Sequence, residues 1–151
     1  GKIKPNSTSD QTICLTDIMA PAAAITGAKI PNNTAEDSYN ILSALLGKDT
    51  KPIRNYTLHQ TISLAMAIRR GQWKYLDHKG SGGNNYGREG RWGMKQYALP
   101  EKSPNAPGQL YDLANDPGET TNLYFKYPEI VGELKEKLNE FKKNGRSAPK
   151  R

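Results

Sequence analysis

The sequence predicts an α+β fold: a small antiparallel sheet of about four strands covered by a C-terminal helix, with two helices before it. Three observations carry this reading. Ile62, Leu64, Met66 and Ile68 alternate with Ser63, Ala65, Ala67 and Arg69, the period of a strand. Val131, Leu134, Leu138 and Phe141 repeat at helical spacing near the end of the chain. Ile18, Ala22 and Ile25, and then Ile41, Leu42, Leu45 and Leu46, mark two short helices with no strand ahead of them.

Taken in order, the first helix opens at Thr16 and Asp17, an N-cap and an acid suited to the positive helix end. Pro21 lies near the start, where a missing N–H does least harm, and Gly27 stops the helix. The second helix runs from about Ser38 to Leu46 and closes at Gly47. At ~10 residues neither helix is stable alone, so both need a surface to pack against. A strand is expected over about Ile53 to His59, then the alternating strand. Arg70-Gly71 makes a tight turn, since Gly tolerates positive φ, and Gln72 to Asp77 is the partner strand with Trp73 and Tyr75 on one face. A short strand covers Gln109 to Leu113, and Asn115-Asp116-Pro117-Gly118 reverses the chain. The last helix spans about Pro128 to Lys143, with Glu129 near its start, Lys142 and Lys143 near its end, and Glu133 and Lys137 spaced as an i,i+4 pair. The basic residues through Arg151 are expected to fray.

Composition narrows the chemistry. In 151 residues there are 22 basic and 15 acidic side chains, a net charge of +7, and 35% apolar residues, enough for a small core. No apolar run approaches the ~18 residues of a membrane helix, so no membrane partner is expected, and no signal peptide opens the chain. A single cysteine, Cys14, excludes an intrachain disulfide and any multi-cysteine zinc site, and reads best as a small buried residue. With His59 and His78 the only histidines and no Gly-x-Ser-x-Gly elbow, nothing supports a nucleophilic triad.

The stretch 78–108 holds seven glycines, three prolines and no periodic element, and a loop of this length is usually functional or disordered. Gly80-Ser81-Gly82-Gly83 leads into more glycines rather than a helix N-terminus, so it is a flexible loop and not a phosphate cradle. Arg88, Arg91 and Lys95 interleave with Tyr86, Trp92 and Tyr97. A solvated basic loop is the first reading of this run; basic groups with stacking rings also suit an anionic substrate or polyanion, and single-stranded nucleic acid is the lesser reading. Candidate substrate contacts are His78, Lys79, Arg88 and Arg91, with Trp92 as a stacking surface and His59 on the preceding strand.

Three stretches together resemble the C-terminal part of the formylglycine-dependent sulfatase family, arylsulfatases in particular. The first is Ser9-Asp10-Gln11 running into Leu15-Thr16-Asp17-Ile18 and ending at Gly27. The second is Ala67-Ile68-Arg69-Arg70-Gly71-Gln72-Trp73-Lys74, similar to an Ile-Arg-x-Gly-x-Trp-Lys hairpin. The third is Leu110-Tyr111-Asp112-Leu113 with Asp116-Pro117-Gly118-Glu119 and Asn122-Leu123, followed by one amphipathic helix. The resemblance extends through Glu36-Asp37-Ser38 and the second helix. It implies that residues 1–50 are the last helices of an alkaline-phosphatase-like α/β catalytic domain, and that 51–151 form a sheet-plus-helix subdomain with the basic loop at 78–108.

The resemblance also implies a parent that uses formylglycine and calcium to hydrolyse the sulfate ester of a small molecule or polysaccharide, and a periplasmic or secreted location. The nucleophile of the family comes from Cys-x-Pro-Ser-Arg, whereas Cys14 is followed by Leu15-Thr16-Asp17, and the family's calcium carboxylates have no counterpart here. Relatives often place two histidines and a serine before the hairpin, where this chain reads His59-Gln60-Thr61. The expectation is therefore a segment with no catalytic or metal-binding residue of its own. It is inactive alone, partnered by a missing N-terminal catalytic domain, and lines part of the substrate-pocket rim. Exposed helix faces would favour self-association. The alternatives are a stand-alone basic module binding polyanions or single-stranded nucleic acid, and a degenerate homologue with a structural role.

Overall fold

A computed structural model describes residues 1–48, 51–61, 64–79 and 101–151. Along the chain these form a 3₁₀ turn at Leu15–Ile18, α1 (Met19–Thr26), α2 (Leu42–Leu45), β1 (Thr57–Gln60), β2 (Met66–Arg70), β3 (Trp73–Leu76), β4 (Gln109–Asp112) and α3 (Pro128–Asn144). The sheet is ordered β1-β2-β3-β4, and β2–β3 and β3–β4 are antiparallel. The chain divides into two compact units, Gly1–Thr57 with Phe141–Arg151, and Leu58–Glu140.

The second unit is built on the hairpin. Arg70 pairs with Trp73, leaving Gly71 and Gln72 as the two-residue turn, and Gly71 takes φ 55°. Ile68 lies opposite Tyr75, and Tyr75 opposite Leu110, so these three buried side chains share one face of the sheet. Arg70 and Trp73 belong to that same face by alternation. Arg70 forms an ion pair with Glu133 of α3, and the Trp73 ring meets Tyr127 edge-on at 5.2 Å. Leu134 and Leu138, one turn apart on α3, are fully buried. The opposite face carries Ala67, Leu76 and Tyr111, with Leu113 packed against them.

In the first unit a buried ion pair replaces a large apolar core. Asp17 is fully enclosed. Its carboxylate accepts the N–H of Cys14 (2.7 Å) and of Tyr39 (3.0 Å) and pairs with Arg54 at 3.2 Å. The Arg54 guanidinium also stacks over the Tyr39 ring at 4.3 Å and donates to the Asp37 carbonyl. Ser38 accepts the Ala20 N–H, joining the loop before α2 to α1.

Several expectations need correction. Thr16 is not the N-cap, a place that Cys14 takes; Asp17 is the first-turn acid expected, and it is also the buried centre of this network. The second helix is a single turn that starts at Leu42, with Ile41 as its N-cap and the Leu42 N–H donated to the Asn40 side chain. The strand predicted from Ile62 begins only at Met66: Leu64 adopts φ 64°, which breaks an extended run, while Ile62 and Ser63 lie outside the described residues. In the Asp-Pro-Gly reversal the left-handed residue is Glu119 at φ 53°, not Gly118. The basic terminus is held rather than frayed. Ser147 donates twice to Asp37, Ala148 donates to Glu36, and Arg151 donates to the Ala35 and Ser38 carbonyls.

Candidate functional site

Strand direction brings one set of candidates to a common end of the sheet. In an antiparallel sheet the exit of β1, the entry of β2, the exit of β3 and the entry of β4 share one end. His59 is the penultimate residue of β1, and His78 and Lys79 follow the end of β3 by two and three residues. The Asp77 N–H bonds the Met66 carbonyl, which fixes the start of this exit beside β2. His59 and Lys79 are exposed, and His78 is half-buried with Nδ1 3.4 Å from the Lys79 carbonyl oxygen. Arg88, Arg91 and Trp92, and most of the 78–108 loop, lie outside the described residues.

The chain comes back to the same end at Glu101. Its carboxylate accepts from Gln109 of β4, from Asn122 and from the Ser103 N–H. Burial opposes ionisation of Glu101, but these donors outweigh it and hold the carboxyl below its ordinary value. Asn122 is the hub of this corner. Its Oδ1 accepts the N–H of Leu110 (3.1 Å) and of Tyr124 (3.0 Å), and its Nδ2 donates to the Gly108 carbonyl and to Glu101. Gly108 sits so close to β3 that a Cβ there would lie 2.6 Å from the Leu76 carbonyl oxygen. The Tyr75 hydroxyl donates to Asp77 at 2.9 Å; burial, then that hydrogen bond, pushes the phenol above its ordinary value. Glu101 and Asp77 are thus engaged internally, while His78, half-buried, and Lys79, exposed, follow Asp77 in the chain. Such groups can contact an anion.

A second carboxylate, Asp116, braces the turn between β4 and α3. It accepts the N–H groups of Thr120 and Thr121 and the Thr120 hydroxyl. Burial works against the charge, but the donors and the Lys102 cation keep Asp116 below its ordinary range. These are structural roles.

Cys14 is half-buried rather than enclosed. Burial raises its thiol, while hydrogen bonds from Thr16 and the Arg54 charge more than compensate and lower it. Its neighbours Leu15, Thr16 and Asp17 do not form the sequence that becomes formylglycine. Among the described residues no group of three or more His, Cys, Asp and Glu side chains could hold a metal ion. The described residues therefore do not fit calcium, the sequence after Cys14 does not fit formylglycine, and no chemical step is assigned to them.

Sequence reasoning missed Arg54, Glu101, Gly108 and Asn122 as organising residues. Only Asn122 carried a signal, its place after the Asp-Pro-Gly turn.

No family model matches the chain. An N-acetylgalactosamine-6-O-sulfatase of Bacteroides thetaiotaomicron is 36% identical over 141 residues, which is 93% of this chain and 25% of that protein. Nearly the whole chain is thus similar to part of a sulfatase. It corresponds to the C-terminal part of these proteins and spans about a quarter of their length. Arylsulfatase K of Canis lupus familiaris is 29% identical over 147 residues, covering 90% of this chain and 23% of its own. A solved structure from work on the metabolism of multiple glycosaminoglycans by Bacteroides thetaiotaomicron aligns with a TM-score of 0.63 and 35% identity, over 84% of this chain and 24% of that one. These likenesses give no support to the stand-alone basic module or its nucleic-acid partner.

Proposed function

We propose that this chain completes a sulfatase that hydrolyses the sulfate esters of a polysaccharide, and that its own share is structural and substrate-positioning. Residues 1–50 would finish the catalytic domain, and residues 51–151 would form the subdomain at the pocket rim. The observation that carries the reading is the match along 93% of the chain to an N-acetylgalactosamine-6-O-sulfatase, with the nucleophile motif absent from these residues. The parent supplies formylglycine and calcium from its preceding residues. A polymeric substrate that cannot enter a cell also fits export of the parent to the periplasm or the medium.

His59, His78 and Lys79, gathered at one end of the sheet, are the proposed rim contacts. Arg88, Arg91 and Trp92 extend the set within the sequence that begins just after Lys79. Basic groups at a pocket mouth attract a polyanion and raise its encounter rate, an effect that salt screens. In the full-length enzyme, His78→Ala, Lys79→Ala and the double change Arg88→Ala/Arg91→Ala should lower kcat/KM for a sulfated oligosaccharide about tenfold or more while moving that for a small aryl sulfate less than about twofold. Equal responses of both substrates, or none, would remove this segment from substrate recognition.

A further inference from the structure

β3 hands the chain to a bend at Asp77, His78 and Lys79. The ladder reaches one residue past Leu76, because the Asp77 N–H donates to the Met66 carbonyl at 3.0 Å. Tyr75 and Asp77 are two residues apart along that paired stretch, so both side chains fall on one side of it. There the Tyr75 hydroxyl donates to Asp77 Oδ1 at 2.9 Å. Tyr75 is 1% exposed, and its ring is fixed: Ile68 and Leu110 lie beside it in register, and a Cβ at Gly108 would stand 3.1 Å from its edge. Burial, then the Asp77 hydrogen bond, keep the phenol protonated far above neutral pH, so it remains a donor.

A carboxylate next to His78 and Lys79 works against the binding of an anion, since like charges repel. Asp77 is the only acidic residue from Thr50 through Arg88, so it is the acid nearest in sequence to both. Packing explains the Tyr75 ring but not its hydroxyl, whose partner is a half-buried acid beyond the end of the strand. We infer that Tyr75 is a positioning residue for substrate recognition: its hydroxyl holds the Asp77 carboxylate against the sheet and away from the sulfate that His78 and Lys79 contact. Tyr75 itself is too deeply buried to touch substrate. This rests on the reading of His78 and Lys79 as rim contacts.

The test is steady-state kinetics of the full-length enzyme with a sulfated oligosaccharide and a chromogenic aryl sulfate. Tyr75→Phe removes the hydroxyl and keeps the ring. It should raise KM for the oligosaccharide about fivefold, leaving its kcat and both constants for the aryl sulfate within about twofold. Asp77→Asn should not raise KM, because it removes the charge. Tyr75→Phe/Asp77→Asn should return KM to within about twofold of the wild-type value, a rescue that a loss of packing would not give. Asp77→Glu, which moves the carboxylate outward by a methylene, should raise KM as Tyr75→Phe does, and it serves if that variant fails to fold. An unchanged oligosaccharide KM in Tyr75→Phe would overturn the inference. So would equal losses on both substrates, or a double variant as impaired as Tyr75→Phe alone. If His78→Ala and Lys79→Ala separate the two substrates while Tyr75→Phe does not, this inference fails and the rim reading stands. If none of the three separates them, the rim reading itself has failed.

Discussion

Arg54 and Asp17, 37 residues apart, form a 3.2 Å ion pair whose side chains are 2% and 0% exposed. Two backbone N–H groups complete the carboxylate's shell, and the Tyr39 ring covers the guanidinium. Removing one partner strands the other charge out of water, which costs about 3–5 kcal/mol. Asp17→Ala should therefore destabilise the chain by roughly that amount in urea unfolding, a large share of the stability of a small protein. The double change Asp17→Ala/Arg54→Met should recover a large part of it. If Asp17→Ala shifts the midpoint no more than a surface substitution does, the pair is not structural.

Stability should fall on acidification. Glu101 and Asp116 both titrate below their ordinary values, Glu101 through the Ser103, Gln109 and Asn122 donors and Asp116 through the Thr120 and Thr121 N–H groups. A carboxyl lowered in the folded state contributes stability that is present above its unfolded value, about pH 4, and is lost as pH falls through the folded value. Urea midpoints should thus hold from pH 7 to about pH 5 and decline below pH 4. Asp116→Asn should flatten part of that decline. An unchanged slope in this variant would remove Asp116 from the account.

Two glycines should respond in opposite directions. Gly108→Ala drives a methyl into the Leu76 carbonyl at 2.6 Å and against the Tyr75 and Tyr124 rings, and overpacking of this kind costs about 1–3 kcal/mol. Gly132, inside α3, has open space where a Cβ would stand, so Gly132→Ala should stabilise by about 0.5–1 kcal/mol. Thermal unfolding of the two variants reads both signs. Stabilisation by Gly108→Ala would contradict the close approach of that backbone to β3.

The elements legible in the sequence were those written in local periodicity. The turn at Gly71, β4, and α3 with Val131, Leu134 and Leu138 all appear where the pattern places them, because burial on one face imposes its spacing on the chain. What escaped was long-range. Nothing near Asp17 announces Arg54, and nothing near Arg151 announces the carbonyls of Ala35 and Ser38, since these contacts exist only once the fold brings distant segments together. Glu119 taking the left-handed conformation beside an available Gly118 is likewise a tertiary outcome: its carboxylate pairs with Lys74 at 2.6 Å. Of the candidate site, the sequence indicated the residue types. Their placement at one end of the sheet follows from strand direction, which composition does not carry.

The most direct test of the central claim, that this segment is part of a sulfatase and not its chemical engine, is sulfate-ester turnover by two proteins side by side. The purified 151-residue chain and the full-length enzyme are assayed with a chromogenic aryl sulfate. The account predicts no turnover above background by the chain and turnover by the full-length protein, unchanged by Cys14→Ala. Turnover by the chain alone, abolished by Cys14→Ala, would contradict it.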